Sequence, residues 1–230
     1  MMVPRNTFLE ALGAAARDLG RPLSETEAAA LATHYRLLCH WNRRMNLTGL
    51  KDEAAILRRH FLEPIAAADL LGEEGTLLDV GSGNGFPALP LKVLHPGLDL
   101  VLIESSERKS AFLRTVVRET GLKGIRVETR RVRGLHDMVD LLPCRYLTLR
   151  AVSGEGLFRG KGGPILDPEG LALFFVAQEQ ARAIREEGIP GLRFIASRSL
   201  PSGPRSVLVI LGPEPESPSG EDGRRDRRSS

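Results

Sequence analysis

The sequence predicts an α/β fold: a parallel sheet with helices on both faces and an N-terminal helical extension. Three observations carry this expectation. The first 75 residues read as helical, short apolar runs alternate with helical periodicity from Gly75 onward, and the first of those runs ends in a glycine-rich turn. The boundaries fall at residues 1–74 for the extension, 75–212 for the sheet domain and 213–230 for a disordered tail rich in Pro, Ser, Gly, Glu and Arg.

In the extension, Ser24 with Glu27 forms a capping box, and Leu23 before it begins a hydrophobic staple. Leu31, Tyr35 and Leu38 recur at helical spacing and lead into Trp41, and a second helical pattern covers 54–71. Leu77-Leu78-Asp79-Val80 is then a short buried strand, followed by a helix starting near Phe86. Leu100-Val101-Leu102-Ile103 is the next strand, closed by Glu104. A helix over 106–120 presents Phe112, Leu113, Val116 and Val117, with Gly121 as its stop. Further strands are expected at 125–127, 146–149, 171–177, 194–196 and 207–211. The glycine-rich stretch 153–164 reads as a mobile loop, and no internal repeat is visible.

At 230 residues the chain can bury a sizeable core, as one large domain or one domain with an appendage. No apolar run approaches the roughly 20 residues of a membrane helix, and the N-terminus lacks a signal-peptide pattern. Cys39 and Cys144 stand far apart with no metal-ligand spacing. That argues against a disulfide framework or a zinc site, and suits a reducing cytoplasm. A net charge of +3 proves no partner, but its distribution is uneven. Arg36, Arg43, Arg44, Lys51, Arg58 and Arg59 face only Asp52 and Glu53. A second block runs from Arg108 and Lys109 through Arg114, Arg118, Lys123 and Arg126 to Arg130, Arg131 and Arg133. Such clusters either neutralise the phosphates of a polyanion or form solvated helix faces.

The glycine loop carries the cofactor expectation. Asp79-Val80-Gly81-Ser82-Gly83-Asn84-Gly85-Phe86 leaves a buried strand and enters a helix, where Gly81 and Gly83 permit a close approach by a ligand. Glu104 follows Gly85 by 19 positions, ends the next strand, and can accept both ribose hydroxyls of an adenosine. Dinucleotide enzymes share that acid but want G-x-G-x-x-G. Here the run is G-x-G-x-G followed by Phe86-Pro87-Ala88, and Asp79 suits a ligand with no diphosphate to repel. The pattern favours S-adenosyl-L-methionine over a nicotinamide dinucleotide or an empty turn.

The wider set of residues resembles a known family. Trp41-Asn42-Arg43-Arg44-Met45-Asn46-Leu47-Thr48, Arg59-His60, the glycine loop with Phe86-Pro87, and Leu102-Ile103-Glu104-Ser105 occur in order. Phe112-Leu113, the Arg131 turn, Arg150-Ala151 and Arg205 follow. Together they resemble the small-subunit ribosomal RNA methyltransferase G family, also called glucose-inhibited division protein B. The likeness is good over about 25–152 and weak over 165–212. The resemblance implies a class I, Rossmann-like methyltransferase fold and methyl transfer to N7 of a guanine in small-subunit (16S) ribosomal RNA. It places the cofactor on Gly81, Ser82, Gly83, Phe86, Glu104, Val132, Arg133 and Arg150, and makes Arg131, Arg150 and Arg205 candidate active-site or RNA contacts. A monomer is expected, since nothing in the sequence reads as a dimer seam.

Guanine N7 offers a lone pair and no proton, so this transfer needs alignment of nucleophile, methyl carbon and sulfur rather than a general base. An arginine near guanine O6 or the RNA backbone would orient the base. His60 is either a catalytic imidazole or a packing histidine of the extension. Trp41 and Phe86 are either core or stacking platforms. The chain departs from the family at Ala88 (usually Gly), Arg133 (usually acidic) and Arg145 (often Asp), in the glycine-rich stretch, and in lacking a Lys-Gly pair in 171–177. These changes gather on the side where substrate enters. They leave open a methyltransferase for another RNA or a small molecule, or a non-catalytic RNA-binding protein that kept the fold.

Overall fold

A computed structural model of the chain describes residues 5–150, 157–158 and 164–215. Helix α1 spans Arg5–Asp18 and α2 spans Glu25–Met45. The expected capping box opens α2: Ser24 Oγ accepts from Glu27 N, and Glu27 Oε2 accepts from Ser24 N at 2.7 Å. Asn46 closes the helix in the left-handed region (φ 49°, ψ 49°), which a short amide side chain tolerates. The second helical pattern is a composite rod. Helix α3 (Glu53–Ile56) widens into a π-helical stretch, Leu57–Leu62, and tightens again into α4, Glu63–Ala67.

Pro64 explains the widening. In a regular α-helix its ring would collide with the carbonyl four residues back, that of His60. In the π turn the Glu63 N–H reaches the Arg58 carbonyl instead. The matching bond one residue on would run from residue 64 to the Arg59 carbonyl, and proline has no N–H to make it. The Arg59 carbonyl therefore needs a donor from elsewhere.

Seven strands follow: β1 (Thr76–Val80), β2 (Asp99–Glu104), β3 (Ile125–Thr129), β4 (Cys144–Arg150), β5 (Leu166–Ala177), β6 (Leu192–Leu200) and β7 (Gly203–Pro213). They form one sheet in the order β3-β2-β1-β4-β5-β7-β6. The first five pair in parallel, but β7 is antiparallel to both β5 and β6. The expectation of a parallel sheet is corrected at this edge. Only Pro201 and Ser202 separate β6 from β7, and so short a connection can join only antiparallel neighbours.

Helix α5 (Ala88–Leu94) follows the glycine loop. Helix α6 (Glu107–Thr120) is capped by Ser106 and stopped by Gly121 in the left-handed region, and α7 (Gln178–Glu187) covers the other face. Strand alternation divides the core. Leu77, Leu102, Tyr146 and Phe175 face the extension, α5 and α6, whereas Leu78, Ile103, Leu149 and Phe174 face α7. Both faces are covered, as expected, with the extension packed directly on one of them. Of the glycine-rich stretch only Leu157, Phe158 and Pro164 are described; Leu157 and Phe158 are buried, and Phe158 stacks on Phe174. The tail from residue 216 lies outside the described residues.

Candidate cofactor site

The glycine loop is shaped by β2. The Gly81 and Ser82 N–H groups both donate to the Ile103 carbonyl at 2.9 Å, and Gly85 N donates to Ser82 O at 2.7 Å. Gly81, Gly83 and Gly85 all have positive φ. At Gly85 space as well as torsion favours glycine: a Cβ there would lie 2.4 Å from Leu89 Cδ1, which would have to move. Ser82 is buried, its hydroxyl donating to Asp79 O.

Glu104 holds the loop tip. Its Oε2 accepts from Gly83 N at 2.9 Å, which leaves that oxygen a further lone pair, and its Oε1 accepts from Ser106 N at 2.8 Å and from the Ser105 hydroxyl at 3.5 Å. The carboxylate borders a cleft of about 190 Å³ that is also lined by Val80, Gly81, Ile103, Arg131 and Val132. The far wall is fixed by Arg130, whose N–H donates to Glu104 O and whose guanidinium grips Asp140 at 2.7 and 2.9 Å. Arg133 contributes its backbone N–H to Asp137 Oδ2 at 2.8 Å while its side chain is exposed. An arginine in place of an acid is accommodated there because its side chain points to solvent.

The N-terminal extension clamps the same loop from the other face. His34 Nε2 donates to the Asn84 carbonyl at 2.9 Å, and the Asn84 amide donates to Leu47 O at 3.2 Å. Thr48 N donates to Asn42 Oδ1, and Thr48 Oγ1 is hydrogen-bonded to His60 Nε2 at 3.0 Å. The Trp-Asn-x-x-x-Asn-Leu-Thr run is thus a joint between α2, the glycine loop and the π turn. Phe86 is enclosed between His34 (centroids 4.3 Å apart) and His60 (4.5 Å). Burial drives both imidazoles to ionise far below the usual range, His34 at about 4 and His60 at about 3, the second helped by the Arg150 charge. Both are packing histidines. Trp41 packs edge-on against Phe112 at the margin of the core.

On this face, under the ends of β1 and β4, sits a buried polar group. Asp79 Oδ1 accepts from the Thr148 hydroxyl at 2.6 Å, and Oδ2 has no partner among the described residues. Burial raises the Asp79 carboxyl to about 6. Arg150 donates from Nη1 to the Arg59 carbonyl at 2.9 Å, the acceptor that Pro64 leaves unsatisfied. The same nitrogen lies 2.7 Å from Glu63 Oε2, and the guanidinium covers the Phe175 ring at 4.7 Å. Among the described residues Arg150 Nε and Nη2 and Glu63 Oε2 are also buried without hydrogen-bond partners, so the cluster holds two orphaned acceptors and two orphaned donors.

Among the expected site residues, Gly81, Glu104, Arg131 and Val132 line the cleft, with Gly83 bonded to Glu104 at its edge. Ser82 and Phe86 lie beneath the loop as buried supports, and Arg150 lies with Asp79 at the ends of β4 and β1, on the face that the extension covers. Arg133 is outside the cleft lining, and Arg205 is exposed at the start of β7, next to Ser206. Sequence reading missed His34 and Glu63. Glu63 is in a helical pattern where a glutamate signals nothing by itself; the adjacent Pro64 was the one clue.

The orphaned atoms fit S-adenosylmethionine: Asp79 Oδ2 suits its ammonium, Arg150 its carboxylate, and Glu104 its ribose hydroxyls. The strand order and this site define a class I S-adenosylmethionine-dependent methyltransferase. A crystal structure of a SAM dependent methyltransferase from Aquifex aeolicus has the same fold, with a TM-score of 0.52, 16% identity, and coverage of 73% of this chain and 96% of that one. The family model of rRNA small subunit methyltransferase G matches residues 27–189, and the chain belongs to that family. A ribosomal RNA small subunit methyltransferase G from Roseiflexus sp. (strain RS-1) is 40% identical over 178 residues, covering 73% of this chain and 74% of the relative. One from Alkaliphilus metalliredigens is 38% identical over 111 residues; that match spans 47% of this chain and 46% of the relative, about half its length.

Proposed function

We propose that this chain transfers the methyl group of S-adenosylmethionine to N7 of a guanine in 16S ribosomal RNA of the small subunit. The observation that carries the reading is the set of unpartnered buried atoms on Asp79 and Arg150, at the same strand ends as Glu104. When bound, the cofactor supplies an electrophilic methyl sulfonium. Glu104 would hold the ribose, the Gly81 backbone would admit the cofactor, Val132 and Ile103 would line the adenine side, and Asp79 with Arg150 would hold the amino-acid end. The residues orient the cofactor and exclude water. N7 has no proton to remove, and His34 and His60, sunk in the Phe86 stack, are not placed to accept one.

The arginines support an RNA partner. Arg36, Arg43, Arg44, Lys51 and Arg58 are exposed and enter no ion pair among the described residues, whereas Arg118, Arg126 and Arg130 of the second block are paired with acids. The free cations of α2, the turn after it and the π stretch are poised for phosphates; the paired ones are partly offset by their acids. Arg131, in the cleft, is the candidate for orienting the guanine, and Arg205 an outlying RNA contact. Among the described residues no helix is long and apolar enough to cross a membrane. We place the enzyme in the cytoplasm, with its ribosomal substrate, as a monomer whose residues 1–74 extend a catalytic domain at 75–212.

Methyl transfer to undermodified small ribosomal subunits, with mass mapping of the modified nucleotide, tests the reading. A single N7-methylguanine is expected. Cofactor binding with no methylation of ribosomal RNA would overturn it.

A further inference from the structure

Glu63 has no exposed surface, yet it carries a carboxylate at the point where the π turn returns to α-helix. A buried charge is tolerated only with compensation from every side. Its Oε1 accepts from the hydroxyls of Ser202 and Ser206 at the β6–β7 hairpin, the second at 2.6 Å. Its Oε2 lies 2.7 Å from Arg150 Nη1 as an ion pair, with no aligned hydrogen bond among the described residues. The carboxylate is therefore anchored from one side and directed at Arg150 on the other. The Arg59 carbonyl, freed by Pro64, takes the same Nη1, and Phe175 supports the guanidinium plane. All of this engagement falls on one nitrogen. Nε and Nη2 remain buried and open.

We infer that Glu63 is the positioning residue of the cofactor site: anchored by Ser202 and Ser206, it fixes the rotation of the Arg150 guanidinium so that Nε and Nη2 are presented together to the cofactor carboxylate. The inference rests on the reading that Arg150 binds the cofactor. A planar guanidinium offers two parallel donors to a carboxylate only when its rotation is set beforehand. Glu63 and the Arg59 carbonyl set it by occupying the third nitrogen.

The test is a set of variants of the full chain. Cofactor affinity is measured by calorimetry, KM and kcat with small ribosomal subunits, and folding by thermal melting. Glu63→Gln and Arg150→Met are each expected to weaken cofactor binding about tenfold or more, with KM for the cofactor rising more than kcat falls. Because Glu63 acts through Arg150, the combined variant should bind no more weakly than Arg150→Met alone. Unchanged affinity in Glu63→Gln beside an impaired Arg150→Met, or additive losses in the combined variant, would overturn the inference. Unchanged affinity in Arg150→Met would instead overturn the assignment of Arg150 to the cofactor. Should Glu63→Gln fail to fold, Ser202→Ala with Ser206→Ala leaves the ion pair but loosens its anchor. It should weaken binding about threefold, less than Glu63→Gln because the ion pair itself survives, and unchanged affinity there counts against the inference equally.

Discussion

His34 lies parallel to Phe86, their ring planes 5° apart and their centroids 4.3 Å apart, while its Nε2 holds the carbonyl of Asn84. One side chain of the helical extension thus supports both the ring beneath the glycine loop and the backbone of the loop itself. Protonating it would put a charge in a buried site, and the consequences are measurable.

The fold should lose stability in mild acid. His34 and His60 take up protons at about 4 and about 3 in the folded chain, against an ordinary value of 6.5, so their contribution is complete above 6.5 and is lost as pH falls. Asp79 works in the opposite sense: raised from 3.8 to about 6, its contribution is complete below 3.8 and is lost as pH rises through 6. Between about pH 6 and pH 4 the two histidines outweigh the one acid by a proton, a net loss of about 1.4 kcal/mol per pH unit. Denaturant midpoints across that range check it. His34→Phe keeps a ring in the stack and should flatten the slope; an unaltered slope would rule out His34 as the source.

Cofactor affinity should fall on the acid side through a different group. Asp79 must be ionised to hold an ammonium, and it titrates at about 6. The dissociation constant should be steady at neutral pH and rise about tenfold per pH unit below that point. Asp79→Asn should bind more weakly at neutral pH and lose this dependence. Calorimetry on both proteins decides; parallel pH profiles would remove Asp79 from the site.

Gly85→Ala should destabilise the fold by about 2 kcal/mol or more, since it combines a positive φ with a collision. The colliding atom is Leu89 Cδ1, 2.4 Å from where the Cβ would lie. Thermal melting measures the loss. Adding Leu89→Ala should cost less in the Gly85→Ala background than in the native chain, and simple additivity would show that the collision is not the cause.

Reversing two charges at the end of α2, Arg43→Glu with Arg44→Glu, should weaken RNA binding without altering cofactor affinity. The salt dependence of RNA affinity should become shallower by about one unit of slope for each phosphate that the chain no longer neutralises. Filter binding at several ionic strengths reads this out. An unchanged slope would move the RNA footprint elsewhere.

The local features were legible in the sequence. The capping box at Ser24, the strands carrying Asp79 and Glu104, the Gly121 stop and the glycine loop all depend on neighbouring residues or a simple period. What was hidden depends on distant pairings. Helix α7 has only Ala181 buried in a run of charges, so no apolar stripe announces it. Strand β5 begins at Leu166, earlier than expected, because Pro168 and Gly170 interrupt its pattern before the pairing with β4 becomes regular. The contact of Arg150 with Arg59 spans 91 positions and requires a missing N–H at Pro64. The loop's dependence on His34 was equally out of reach, since nothing near residue 34 marks a bond to residue 84.

Asn84 is gripped twice by the extension, at its carbonyl by His34 and through its amide by the Leu47 carbonyl. The helices ahead of β1 are therefore no interchangeable cassette. Exchanging them for those of another methyltransferase would carry away part of the mould in which the cofactor loop is cast. Changes in RNA recognition along α2 must therefore arise on its outer side, while the inner side stays bound to the geometry of methyl-donor capture.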